Sequence, residues 1–211
     1  MAVKRRYILH QLPVLASLGR TALAAMRPAK GGAPPQTPTA DLRETVAPRP
    51  ADLVRDSIRE CGGDPRAYRG ELPPHRFAQW GFPLAARTLR GIPYPLARVL
   101  NGGCRLEVNG PLPATEPLVV SARLESIDDD GRRAVLCQRV ATGVEGDEER
   151  VVAYLYAIVP LEKDKTKNGA RREKPRVPQG ADEIGFFRLR RDAGLSFALL
   201  TGDFNPVHWS A

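Results

Sequence analysis

PLVVSARLESIDDDGRRAVLCQRVAT, residues 117–142, is the stretch of sequence that decides the fold of this chain. Within 117–127 apolar and polar residues alternate over 120–125, which is the period of a half-buried β-strand, and 132–142 is a second predicted strand that is apolar over 134–137. The four residues between them, Asp128 to Gly131, are typical of a tight turn. The stretch therefore predicts an antiparallel hairpin.

The flanking segments extend this hairpin into a sheet that covers a helix. CRLEVN (104–109) alternates in the same way, which places Cys104 inward like Cys137 of the hairpin, and VVAYLYAIVPL (151–161) is apolar enough to be a central strand. RFAQWGFPLAARTL (76–89) is apolar on most of its circumference and predicts a buried helix. One helix followed by four antiparallel strands predicts an α+β domain in which a curved sheet wraps a helix.

Composition divides the chain into four parts. We expect a basic arm and Pro/Gly-rich spacer over 1–47, a complete domain over 48–161, an exposed charged linker over 162–182, and the start of a second unit over 183–211. In the spacer no regular structure is expected. In the last part, EIGFFRLRR is predicted to be a strand and DAGLSFALL a short helix with Asp192 as its N-cap.

The net charge of +8 is concentrated outside the predicted domain. Residues 1–30 carry six basic residues and no acid, and residues 162–182 carry seven basic and four acidic residues, so the rest is nearly neutral. Without a helix-turn-helix pattern, a zinc-finger spacing or an aromatic-studded basic strand, we expect no nucleic-acid binding. Three cysteines without a C-x-x-C pair and three histidines argue against a disulfide framework or a metal site, and favour the cytoplasm.

The arm has two interpretations. His10, Gln11, Pro13 and Arg20 interrupt its apolar run, which excludes a signal peptide and a transmembrane helix. It is either a poorly ordered amphipathic segment or, through the basic residues and Leu-rich face of 1–30, a weak contact with anionic lipid.

Thr201-Gly202-Asp203-Phe204-Asn205-Pro206-Val207-His208 is the segment whose composition packing does not explain. Gly202 frees the backbone to turn, so that the carboxylate of Asp203 and the imidazole of His208 can converge on one small molecule. Such a pair can move protons on and off a substrate or a held water. The alternative is that Asp203 caps a helix and His208 lies on the surface.

This segment resembles the signature of the MaoC-like (R)-specific enoyl-CoA hydratase/dehydratase family, [ST]-G-D-x-N-P-[LIV]-H, at every fixed position. The resemblance implies a hotdog fold, and many members are double hotdogs in which only the second unit carries the motif. It implies that residues 48–161 are the motif-less first hotdog. It further implies that Asp203 and His208 act as the acid–base pair on a trans-2-enoyl thioester, while Asn205 holds the water and Gly202 and Phe204 lie at the substrate.

The substrate implied is a CoA or acyl-carrier-protein thioester, and the reaction needs no cofactor or metal. We also expect a homo-oligomer. In the family about a hundred residues follow the motif, whereas three follow it here, so the chain resembles a C-terminally truncated member and we expect it to lack hydration activity by itself. The alternative function is a non-catalytic hotdog that binds an acyl thioester or a partner subunit.

Overall fold

The structure is a computed structural model that describes residues 3–12, 14–16, 19, 32–161, 177–186 and 188–204. Three α-helices are described over their whole length: α1 (Ala51–Glu60), α2 (Ala78–Thr88) and α3 (Ala193–Thr201). Four short 3-10 helices accompany them: Arg5–Gln11, Pro65–Tyr68, Pro74–Phe77 and Leu96–Arg98.

A five-stranded antiparallel sheet forms the body of the molecule, with the strand order β1-β5-β6-β7-β3. Its strands are β1 (Leu42–Val46), β3 (Leu100–Val108), β5 (Leu118–Asp129), β6 (Arg133–Val144) and β7 (Asp147–Pro160). Two short strands, β2 (Glu71–Leu72) and β4 (Leu112–Pro113), pair separately. As predicted, the strand over 151–161 lies inside the sheet.

The predicted hairpin is formed by β5 and β6. Their pairing ends at Asp129 opposite Ala134. In the turn, Asp130 Oδ1 accepts hydrogen bonds from the backbone N–H groups of Arg132 and Arg133 at 2.9 and 2.8 Å. Gly131 has a φ of 78°, which a residue without a Cβ adopts readily. The acidic side chains therefore build the turn.

Helix α2 is the buried helix that the sequence predicts, and it packs against the sheet. Trp80 is 3% exposed, and its Nε1–H donates to the Thr142 hydroxyl of β6 at 3.1 Å. A Cβ at Gly81 would lie 3.0 Å from Val140 Cγ1, so the helix approaches β6 more closely than a larger residue would allow. The core around it includes Val54, Phe77, Leu84, Val120, Val140 and Val151.

Strand β3 corrects one expectation about burial. Cys137 is buried as predicted, but Cys104 is exposed. In this sheet β3 pairs with β7 alone, and its register shifts between Asn101 and Cys104. Alternation predicts that the side chains of a strand point to two faces. It does not tell whether anything covers either face of an edge strand.

The predicted spacer contains a strand, which corrects the boundary at residue 47. Strand β1 pairs antiparallel with β5, from Leu42 opposite Ala122 to Val46 opposite Leu118. Leu42 and Val46 also pack against the core. The prolines on both sides of this segment favour a loop in the sequence, but the five residues between them can form backbone hydrogen bonds with the otherwise unpaired edge of β5.

The described part of the arm, residues 3–12, 14–16 and 19, is packed more closely on the domain than we expected. Tyr7 and Gln11 are fully buried, and Val14 is 2% exposed. The Tyr7 hydroxyl donates to Asp56 Oδ2 of α1 at 2.6 Å, and its side chain packs with Leu53 and Leu200. For these described residues the expectation of a poorly ordered segment is therefore wrong, because the Tyr7 ring packs in an apolar site and its hydroxyl has an acceptor on α1.

Two basic residues of the arm, Lys4 and Arg6, face acidic residues of α1. Lys4 Nζ lies 3.7 Å from Asp52 and 3.5 Å from Asp56, and Arg6 Nη2 lies 2.5 Å from Asp52. These ion pairs use two charges that a contact with anionic lipid would need. No helix in the described part of the chain is long and apolar enough to cross a bilayer.

The segment before α3 differs from the prediction of a strand. Residues 184–186 and 188–190 have no regular structure, and Ile184, Phe186 and Leu189 are exposed. The helix that follows is confirmed as α3 (Ala193–Thr201). It packs on the arm and on α1, so Ala198, Leu199 and Leu200 are buried. The burial of these apolar side chains offsets the loss of conformational entropy when this segment becomes ordered.

Because the arm buries Tyr7 completely, Tyr7→Ala should lower the free energy of unfolding by about 3 kcal/mol, the usual cost of removing a buried aromatic ring. Ile8→Ala is the matched control, since Ile8 is the next residue and is 41% exposed; it should change stability by about 0.5 kcal/mol or less. Urea unfolding of both variants measures the difference. Equal stability of the two variants would contradict the packing of the arm.

Candidate functional site

The candidate site begins where α3 ends. Gly202 has a φ of 83°, and its backbone N–H donates to Ala198 O at 2.9 Å, which terminates the helix in a left-handed turn. The predicted turn at Gly202 is thus present. A Cβ there would lie 2.9 Å from Gln11 Oε1 and 3.2 Å from Val14 Cβ. Glycine is therefore required both by the backbone conformation and by the close approach of the arm.

Asp203 follows this turn directly, and its backbone is held by Thr201. The Thr201 hydroxyl donates to Phe197 O at 2.8 Å and accepts from the Asp203 N–H at 3.2 Å. The side chains of Asp203 and Phe204 are half-buried. At the other end of α3, Asp192 occupies the N-cap position without a capping hydrogen bond, and its carboxylate accepts from Arg190 instead.

The structure brings together the first part of the predicted site only. Gly202, Asp203 and Phe204 are adjacent at the end of α3, whereas Asn205 and His208 lie outside the described residues. The convergence of Asp203 and His208 therefore stays a prediction.

Three buried side chains that the sequence did not single out surround the end of α3. Gln11 Nε2 donates to Leu199 O at 3.1 Å and to Leu200 O at 3.3 Å, and Arg76 Nη2 donates to Leu200 O at 3.0 Å. Gln79 Nε2 also donates to Leu200 O. We call Gln11, Arg76 and Gln79 the α3 clamp. It satisfies carbonyl groups that a helix leaves without partners at its C-terminus.

The α3 clamp carries a buried positive charge. Arg76 is 6% exposed, and burial lowers the pKa of its guanidinium to about 10, with a further decrease from the nearby Arg49 and an increase from Cys61. In the described part of the chain no carboxylate pairs with Arg76. The negative end of the α3 dipole provides the opposing partial charge, since a cation at a helix C-terminus is stabilised.

Arg49 links the arm to the α3 clamp. Its Nη2 donates to His10 O at 3.1 Å and to Gln11 Oε1 at 3.3 Å, and burial lowers its pKa. The sequence did carry a signal for Arg76 and Gln79, because two polar residues three apart interrupt an otherwise apolar helix. Gln11 interrupts the apolar run of the arm in the same way, but nothing in the sequence places it beside α3, because it lies in a different part of the chain.

Two surface cavities lie elsewhere. One of about 500 Å³ lies between Arg55, Arg59 and Arg66, and the other of about 310 Å³ lies beside β2 and β4. Neither is lined by Asp203 or by the α3 clamp. Among the described residues there is also no group of three or more His, Cys, Asp or Glu side chains that could hold a metal. The candidate site is therefore the end of α3.

Solved structures share this architecture at low sequence identity. The chain is similar to HtdX of Mycobacterium tuberculosis, with 14% identity, a TM-score of 0.61, and coverage of 81% of this chain and 64% of that one. A MaoC-like dehydratase from Phytophthora capsici gives 14% identity and a TM-score of 0.57, and the match covers 81% of this chain and 64% of that one. The C-terminally truncated 3R-hydroxyacyl-ACP dehydratase complex HadBC of Mycobacterium tuberculosis gives 13% identity and a TM-score of 0.50. The match covers 60% of this chain and 99% of that one.

These similarities establish the fold of the chain as a hotdog, which confirms the predicted α+β class. No protein-family model matches the sequence, and no curated protein sequence matches it. The chain spans about two thirds of the length of HtdX and of the Phytophthora enzyme.

Gly202→Ala should destabilise the protein by about 2 kcal/mol or more, because it adds a steric contact with the arm to the strain of a positive φ. Gly146→Ala is the matched control: Gly146 has a φ of 80°, and no atom lies within 4 Å of its added Cβ. That variant should lose only about 1 kcal/mol. Urea unfolding measures both losses, and equal losses would show that Gln11 and Val14 do not crowd Gly202.

Proposed function

We propose that the protein is an (R)-specific enoyl-thioester hydratase/3-hydroxyacyl-thioester dehydratase of the MaoC-like type, acting in fatty-acyl metabolism in the cytoplasm. The observation that carries the proposal is the position of the motif. Thr201-Gly202-Asp203-Phe204-Asn205-Pro206-Val207-His208 starts at the last residue of α3, and α3 is docked on a hotdog whose structural neighbours include a MaoC-like dehydratase and a 3R-hydroxyacyl-ACP dehydratase complex.

Asp203 and His208 are the acid–base pair in this proposal, and Asn205 holds the reacting water. In hydration, the pair takes a proton from the water as its oxygen bonds to the β-carbon, and a proton is delivered to the α-carbon on the same face. Dehydration runs the same steps backwards. Negative charge at the α-carbon spreads onto the thioester carbonyl, so the substrate itself supplies the electron sink. Gly202 and Phe204 lie at the substrate.

The half-buried position of Asp203 suits this role. A carboxylate that moves protons has to reach the substrate, and it needs a fixed direction at the same time. The turn at Gly202 and the hydrogen bond from the Asp203 N–H to Thr201 fix the backbone from which the carboxylate projects. Orientation of this kind supports proton transfer more than charge alone does.

The domain organisation belongs to the same proposal. Residues 48–161, with β1 added, correspond to a first hotdog, 162–182 to a linker, and 183–211 to the start of a second, motif-bearing hotdog. The rest of a second hotdog, in the same polypeptide, in a second copy or in a partner, would complete the site around Asp203. A CoA or acyl-carrier-protein thioester would bind there, and we expect a homo-oligomer.

Asp203→Asn and His208→Ala should each lower the rate of crotonyl-CoA hydration by about a hundredfold or more, the usual contribution of a general acid or base. The assay uses the natural polypeptide that contains these 211 residues and follows the loss of the conjugated double bond by ultraviolet absorbance. Crotonyl-acyl-carrier protein serves as the second substrate. Melting temperatures should stay close to that of the unsubstituted protein.

Asp192→Asn is the matched control, because it removes an exposed carboxylate from the opposite end of α3. It should leave turnover unchanged. If the protein binds both thioesters but turns over neither, the proposed enzyme activity is wrong and the non-catalytic hotdog is the better explanation. Normal turnover in Asp203→Asn or His208→Ala would remove that residue from the mechanism.

A further inference from the structure

Gln11 of the arm contacts the motif-bearing segment on two sides. Its Nε2 donates to the carbonyl groups of Leu199 and Leu200, at 3.1 and 3.3 Å. Its Oε1 lies 2.9 Å from the point that a Cβ of Gly202 would occupy. One fully buried side chain therefore touches the end of α3 and the turn that leads to Asp203.

The side chain of Gln11 is itself fixed by its neighbours. Arg49 Nη2 donates to Gln11 Oε1 at 3.3 Å and to His10 O at 3.1 Å. A positioning group is effective only when its own rotamer is held by packing and hydrogen bonds, and Gln11 meets that requirement.

Leu200 O is held from a second direction. Arg76 and Gln79, at the entrance of α2, donate to the oxygen that also accepts from Gln11. Three donors converge on an acceptor that has two lone pairs. Movement of α3 towards the arm or towards α2 would weaken one set of these bonds, so the end of the helix has a single favoured position.

We propose that Gln11 is a positioning residue, which with Arg76 and Gln79 holds the Gly202 turn so that the Asp203 carboxylate points at the reacting atoms. The arm is then part of the active unit, not an accessory to it. This inference rests on the proposed function, because it assigns Gln11 a role in orienting the acid–base group. Displacement of a catalytic group by about 1 Å can lower turnover about a hundredfold, so such a contact has a measurable effect.

The test is Gln11→Met in the natural polypeptide that contains these residues. Methionine keeps the length of the side chain but cannot donate to Leu199 O or Leu200 O. Its kcat for crotonyl-CoA hydration should fall about tenfold or more, with KM within about twofold of the original value. Amide exchange at Gly202 and Asp203, followed by mass spectrometry, should become faster.

Tyr7→Phe is the matched control. It removes the hydrogen bond to Asp56 but keeps the ring that packs against Leu53 and Leu200, and it leaves the contacts of Gln11 in place. Its kcat and its exchange at Gly202 and Asp203 should match the unsubstituted protein. An equal loss of kcat in Tyr7→Phe would overturn the proposal, because it would trace the effect to docking of the arm as a whole.

The remaining outcomes separate this inference from the proposed function. Normal kcat in Gln11→Met overturns the inference and leaves the proposed function intact. If the unsubstituted protein hydrates neither thioester, the proposed function fails, and unchanged exchange at Gly202 and Asp203 in Gln11→Met then overturns the inference independently. If Gln11→Met does not fold, Gln79→Met removes a donor from the α2 side and should give the same loss of kcat at constant KM.

Discussion

Two main-chain carbonyl groups at the end of α3, those of Leu199 and Leu200, are buried and need hydrogen-bond donors from outside the helix. Unpaired, each would lose free energy comparable to a hydrogen bond. The donors come from two separate parts of the chain: Gln11 belongs to the arm, whereas Arg76 and Gln79 belong to the entrance of α2. Together with the packing of Tyr7, this small polar cluster holds the arm, the hotdog and the motif-bearing segment together.

This cluster depends in turn on the rigidity of the hotdog core. Helix α2 is fixed against β6 by the Trp80–Thr142 hydrogen bond and by the close approach at Gly81. Because α2 cannot shift along the sheet, Arg76 and Gln79 present their donors at a constant place. A buried cation next to the negative end of a helix dipole is stabilised without a carboxylate partner, which explains how Arg76 is tolerated in the 3-10 helix that precedes α2.

The similarity to solved dehydratases and the sequence motif support different parts of the functional argument. At about 14% identity the similarity establishes the hotdog fold, and a hotdog by itself does not define a reaction. In the proposed function, the chemistry is assigned to Asp203, Asn205 and His208 on the strength of the motif. The structure adds the surroundings of Asp203. This residue is half-buried and directly follows the Gly202 turn at the end of α3.

The sequence by itself determined the features that depend on local period and turn chemistry. These were the hairpin of 117–142, the buried helix over 76–89, and the turn at Gly202. Tertiary structure decided the strand over 42–46 and the docking of the arm, because both depend on an open sheet edge and an apolar site that other parts of the chain create. Gln11 and the carbonyl group it binds are 188 residues apart, and no local pattern encodes a contact across that separation.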